Sequence, residues 1–498
     1  MAISASQRAW CCLGGLLASP AQAEDCGTAG TCAEDGTGRR IAPIVVTATR
    51  IASAAQANLE PRVTLDGQYL KSRNLTNIAD ALNEVPGFRG SVTPDGVQNT
   101  YGQGVNFVNL YRLGSARTLT LVDGRRMVSS SVPTIFSQAS PGSQVDLNAI
   151  PAILVQRIET IGIGGAPVHG SDAIAGTVNI ILKRDFSGLE LSATAGITQD
   201  GDNFRHNFSG IHGTDFADGR GHLVLAVSHD RVDGVRQDQR GFYRDNVAEV
   251  PNIGLPGMDP ASDGRINPGI GFDTGPGDGN PAMVLARDFA NPLLTPGGVI
   301  IGGALDRAMQ FDRAGNLVPF DRGTSHGGPF ATGGDGYRLG DVGQITSDLE
   351  RFSTHFLAGY DLSDRVRIFA EAAYFHSKAD EVADQPDFNA VLFSGVSGPL
   401  VFPVTNPFLT DQARGLLLAS GYPAFMLSRA NGDLGDPTGY TKTDQYRGAV
   451  GADGSFPLIG SEWDFAAHLG WGRTDFTDRK STRLNSSHIQ KSRMPSSA

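Results

Sequence analysis

The residues with chemical potential in this chain are few, and most fail on spacing. IETIGIGGAP, Ile158–Pro167, sets a strand-like run ahead of Gly162 and Gly164, as a dinucleotide-binding turn requires. The third glycine position is Pro167, however, and no helix opens there to receive a pyrophosphate. Asp273 and Asp278 lie near Asn280 but miss the ligand spacing of a calcium loop, so a solvated acidic loop is the reading. His355 and His468 stand singly and are read as lining polar strand faces rather than binding metal. There is no GxSxG elbow and no HExxH helix, so no catalytic residue, metal site or cofactor is assigned and an enzyme is not expected. What remains is recognition through backbone. PIVVTATR, Pro43–Arg50, is an extended β-branched run ending in a cation, a strand with no obvious partner.

The surroundings of that strand indicate export. Residues 1–23 read as a secretory signal, with Arg8 as the positive start, Ala9–Ala18 as the short apolar region and Ala21-Gln22-Ala23 as the cleavage pattern. Cys11 and Cys12 would leave with it. Cys26 and Cys32 would stay, either as a small disulfide loop in an oxidising compartment or as two thiols in a glycine-rich leader. Two thiols without a nearby histidine do not make a zinc site. The formal net charge of −11 and the lack of a basic stripe argue against nucleic acid as a partner. No stretch has the ~20 consecutive apolar residues that a spanning helix needs, so any membrane role falls to strands.

Two textures follow. Up to about Phe186 the chain reads as a small α+β domain. A helix is expected over Asn74–Val85, capped by Thr76, with Ile78, Leu82 and Val85 on one face and Pro86-Gly87 as the stop. Leu119, Leu121 and Val122 ahead of Asp123-Gly124 predict a tight hairpin. From Gly188 the period becomes two. In GLELSATAGI, Leu189, Leu191, Ala193, Ala195 and Ile197 alternate with Glu190, Ser192 and Thr194. Further strands are expected at Asn203–Gly213, His222–Asp230, Leu349–Asp361, Arg365–Ala379, Thr441–Ser455 and Ser461–Phe476. A soluble sandwich also alternates. Aromatic residues near strand ends (Tyr360, Tyr374, Trp471) and connections that are short after Gly213, Asp361 and Ser455 but very long after Asp230 and Ala379 favour a transmembrane barrel. Arg231–Asp348 is then an outer loop.

Four segments of the first texture carry a resemblance: LNEVPGF (Leu82–Phe88), RTLTLVDGRR (Arg117–Arg126), VDLNAIPAILVQRIE (Val145–Glu159) and GSDAIAGTVNIILK (Gly170–Lys183). Together with the order signal, apolar box, small domain and strands, they resemble the TonB-dependent outer-membrane receptors. The sequence departs from that pattern at NLYRLGSAR, Asn109–Arg117, where Tyr111-Arg112 stands in place of the usual Arg-Gly. The resemblance implies an α+β plug domain followed by an antiparallel transmembrane β-barrel, here truncated to about seven strands. It divides the chain into a leader at 24–43, a TonB box at 44–50, a plug at 51–186, a partial barrel at 187–478 and a non-native tail at 479–498. Ile44, Val45, Val46, Thr47, Ala48, Thr49 and Arg50 would pair by strand addition with TonB, itself driven by an inner-membrane energising complex. Gln98, Asn99, Tyr101, Gln103, Ser129, Ser130 and Ser131 would belong to plug loops facing the ligand.

The implied setting is the outer membrane of a Gram-negative bacterium, with outer-membrane lipid around the strands. The implied activity is energised uptake of a small-molecule or oligosaccharide ligand of the siderophore, cobalamin or oligosaccharide class. A barrel-anchored binding or adhesion protein is the alternative, and it would not need the box. Barrels of this family close about twenty-two strands, and the last residues, Ser481–Ala498, show no strand period and no terminal aromatic. The chain is therefore expected to be an N-terminal fragment.

Overall fold

The computed structural model describes residues 62–73, 75–88, 93, 104–130, 144–162, 169–251, 283–303, 305–327, 330–338, 340, 343–382, 387–388, 400–430, 438–458, 461–480 and 488–496. The signal, the cysteines, the box at Ile44–Arg50 and Asp273–Asn280 lie outside them.

The first domain forms around one mixed sheet, in the order β1 (Arg62–Asp66), β4 (Val155–Ile161), β5 (Gly176–Leu182), β2 (Thr118–Val122), β3 (Arg125–Arg126). Asp123 and Gly124, with φ of 48° and 74°, make the tight reversal that the dipeptide predicts, and pair Val122 with Arg125. Helix α1 (Gly67–Ser72) follows β1, and α2 (Ile78–Asn83) lies within the predicted helix. Its cap is Asn77 rather than Thr76: the Asn77 Oδ1 accepts from the Ala79 N–H at 2.8 Å. A carboxamide one residue later leaves the helix register unchanged, so Ile78 and Leu82 still point into the core, both fully buried. Val122, Leu147, Leu154, Ile158, Val178 and Ile180 complete that core.

All seven strand segments expected after Gly188 are present: β6 (Gly188–Gly196), β7 (Arg205–Phe216), β8 (Gly221–Val232), β9 (Asp348–Ser363), β10 (Val366–Val382), β11 (Thr438–Leu458) and β12 (Ser461–Lys480). They form one antiparallel sheet, each paired with its sequence neighbour, and the connections alternate short and long as predicted. The barrel is incomplete. An eighth strand, β13 (His488–Ser496), pairs with β12 over Gly470–Asp478, although its sequence lacks a strand period. An open sheet edge offers unpaired N–H and C=O groups to any extended chain, so pairing there needs no side-chain pattern.

The outward face is apolar and exposed, with Leu189, Leu191, Phe208, Leu469 and Trp471 each more than half exposed. The inward face is not uniformly polar. Ile211, Val224, Ala226, Leu357 and Phe375 point inward and join the core of the first domain, because that domain covers them.

The long connections carry structure that the reading as plain loop does not anticipate. Strands Val299–Gly303, Met309–Phe311 and Leu317–Pro319 of the first share a sheet with Leu400–Pro403 and Ala424–Ala430 of the second. Helix Asp411–Ala419 packs on it around Ile300, Leu317, Ala413, Leu417 and Phe425. The Gln412 carboxamide binds both backbone groups of Leu317, at 2.9 and 2.8 Å, and so covers that strand's edge.

Candidate functional site

The first domain is held against the inward face of the sheet at two joints. The lower one grows from the β2–β3 hairpin, which presents Asp123 and Arg125, and from Arg184 just after β5. Opposite them, Glu371 on β10 and Arg447 on β11 point inward from neighbouring strands. The Glu371 carboxylate accepts from the guanidinium groups of both Arg125 and Arg184, and from Arg447 Nη1 at 3.0 Å. Arg184 Nε also donates to Asp123 Oδ2 at 2.7 Å, and Asp123 Oδ1 accepts from the Leu182 N–H at 3.0 Å. The Phe369 ring lies under Arg125 at 4.7 Å and Arg184 at 5.7 Å. Side chains of Glu371 and Asp123 are only 2 % and 3 % exposed, so these charges have left water and depend on one another. Burial pushes the Arg125 guanidinium below its ordinary value, with Glu371 acting against it. Arg184 moves upward instead: burial opposes its charge, but Asp123 and Glu371 outweigh that. Both stay cations at any physiological pH.

The upper joint is built on Asn148. Its Oδ1 accepts from Asn77 Nδ2 and Asn106 Nδ2, each at 2.7 Å, and from the guanidinium of Arg351 on β9; its Nδ2 donates to the Gly104 carbonyl at 2.8 Å. Asp146 accepts from the backbone N–H groups of Asn106 and Asn148, both at 3.0 Å. Full burial raises its carboxyl to about 6, against those two N–H groups and the nearby Arg351. Arg351 in turn approaches Asp230 of β8 at 3.8 Å. His355 ends this row, with Nε2 2.9 Å from the Ala149 carbonyl oxygen. His355 and His468 therefore sit on inward strand faces, and no group of three or more metal-ligating side chains occurs among the described residues.

Of the expected ligand-facing residues, Gln98, Asn99, Tyr101, Gln103 and Ser131 lie outside the described residues. Ser129 and Ser130 are buried at the seam: Ser129 Oγ donates to the Gln144 carbonyl at 3.1 Å, and Thr474 of β12 donates to the Ser129 carbonyl at 3.0 Å. Sequence reasoning missed Glu371, Arg447 and Arg351 as a group because they are remote in sequence from the residues they hold. The available signal was a charge inside each alternating strand.

Residues 55–177 match the family described as TonB-dependent Receptor Plug Domain. The first domain is therefore a plug domain of the kind that TonB-dependent receptors carry, and antiparallel strands follow it. Among solved structures it is similar to the ferric enterobactin receptor PfeA of Pseudomonas aeruginosa (13 % identity, TM-score 0.46, 86 % of this chain and 44 % of that one). It is also similar to the siderophore receptor PiuA of Acinetobacter baumannii (12 %, 0.36, 84 % and 46 %) and to the ferric-catecholate import receptor Fiu of E. coli K12 (14 %, 0.34, 84 % and 50 %). The chain spans about half the length of these structures.

Proposed function

We propose that this chain is the plug and first barrel strands of an energised outer-membrane transporter for a scarce or bulky nutrient of the siderophore, cobalamin or oligosaccharide class. The observation that carries the reading is the charged joint of Glu371 with Arg125, Arg184 and Arg447. Ile211, Val224, Ala226, Leu357 and Phe375 already give the sheet an apolar contact with the plug, and ion pairs removed from water add little net stability to it. Ionic and hydrogen-bonded joints can instead exchange partners with water when a domain moves, and they hold one arrangement sharply until it does. In this account the box Ile44–Arg50 pairs with TonB by strand addition, and ligand outside shifts the plug toward the state in which the box is free. Force on the box then moves the plug against the sheet, and ligand passes to the periplasm.

Uptake measured in a strain carrying a length-completed receptor tests this, with a panel of a ferric siderophore, cobalamin and an oligosaccharide. Uptake of one class, abolished by Val45→Pro with Thr47→Pro while surface binding persists, is the expected result. Binding without box-dependent uptake would assign the chain to a barrel-anchored binding or adhesion protein.

A further inference from the structure

The outward face of the sheet is not evenly covered. Near the short-turn end, four adjoining strands turn small residues outward: Ala358 on β9, Ala370 on β10, Ala452 on β11 and Ala467 on β12. They form the floor of an apolar groove of about 690 Å³, with Val450 and Leu469 rising along it. Further along, the same face carries larger side chains, among them Leu225, Phe356, Tyr446 and Trp471, with smaller ones such as Ala372 between them. A hollow facing hydrocarbon loses dispersion contacts unless an apolar chain occupies it, and its volume falls in the range of ordinary ligand sites, ~300–1,000 Å³.

The groove ends at a polar anchor. Phe216 of β7 stacks on Tyr360 of β9 with centroids 6.0 Å apart, and both rings line the groove. The Arg220 guanidinium, from the Ala217–Arg220 turn, lies 5.4 Å from the centre of the Tyr360 ring. Of the nearby acids, Asp215 lies 2.7 Å from His222 and Asp361 3.9 Å from Arg367, while Asp218 shares the turn with Arg220 without an ion pair to it. Arg220 has no ion pair among the described residues. An apolar channel leading to an aromatic pair and an unpaired cation has the polarity order of a lipid, with tail, interface and phosphate in sequence.

We propose that this groove seats one acyl chain of a membrane phospholipid whose phosphate rests on Arg220. The proposal rests on the barrel strands crossing a membrane. It makes the short-turn end a site where the barrel carries a bound lipid rather than a bulk contact.

The test uses the full chain, washed with alkaline carbonate on membranes and then extracted in detergent. Native mass spectrometry follows binding of phosphatidylglycerol and of a diacylglycerol with the same acyl chains. Arg220→Gln, on an exposed turn, is expected to weaken phosphatidylglycerol about fivefold, as one interfacial cation is worth about 1 kcal/mol, and to leave diacylglycerol unchanged. Ala452→Trp, which fills the groove, is expected to weaken both, whereas Leu191→Trp on the far strand changes neither. Phosphatidylglycerol binding unaltered by Arg220→Gln overturns the proposal, as does displacement of the lipid by inorganic phosphate, which would mark a free-anion site. Release of the chain by the carbonate wash refutes the membrane reading itself; failure of the lipid assay on a membrane-retained chain refutes only the groove.

Discussion

Arg112 holds a backbone conformation that favours glycine, with φ of 59° beside Tyr111 at 55°. A side chain in the left-handed region costs about 1–2 kcal/mol. The Tyr111 ring edge packs against Gly87 and its hydroxyl reaches Gly162, which holds the turn in place despite that cost. Arg112→Gly should therefore raise stability by about 1 kcal/mol, read from the urea midpoint of the detergent-solubilised chain. Asp146 acts in the opposite sense from an ordinary salt-bridged carboxylate. Its carboxyl is raised to about 6 by burial, so the ionised form is disfavoured in the folded plug. The stability linked to this group is fully present below the unfolded value near 3.9 and is lost as pH rises through about 6. Acidifying from pH 7 to 5 should recover about 1 kcal/mol from this group. The urea midpoint of Asp146→Asn should show that much less dependence on pH, and identical profiles would remove Asp146 from the account.

At the scale of elements, the plug is fixed by what β10 and β9 turn inward. Glu371→Gln leaves three buried arginines facing one carboxylate, Asp123, and breaking a buried ionic group of this kind costs about 3–5 kcal/mol. Protease should cut the plug faster in this variant, while strand content by circular dichroism is retained. Gly104 gives a steric counterpart at the upper joint. A Cβ there would lie 2.6 Å from Ala379 Cβ and 2.7 Å from Leu349 Cδ1, and its φ is 71°. Gly104→Val should wedge the plug off the sheet, seen as faster hydrogen exchange at Asn106 and Asn148; unchanged exchange would contradict the joint.

The elements themselves were legible in sequence wherever local pattern decides them. The Asp123-Gly124 hairpin, the apolar face of α2 and seven alternating strands all follow from spacing. The joints were not legible, since Arg351 and Asn148 are 203 positions apart and only the register of β9 brings them together. The shared sheet of the two long connections was hidden for the same reason. Its strands are two to seven residues long and set among glycine and proline, which read as loop until Phe425 and Ile300 are seen in one core.

For the molecule as a whole, in the proposed function the sheet is a wall, the plug a movable body and the segment before β1 its handle. Wall and body meet through charge, hydrogen bonds and the apolar side chains that the sheet lends to the plug core, while the opposite face of the sheet is apolar and exposed. The handle gives the most direct test, because it can be assayed without knowing the nutrient. The affinity of the purified periplasmic domain of TonB for the full chain in detergent should fall at least about tenfold on Val45→Pro with Thr47→Pro, since proline removes the N–H groups that strand addition requires. Equal affinity for the two chains would contradict the claim that Ile44–Arg50 is where force enters this protein.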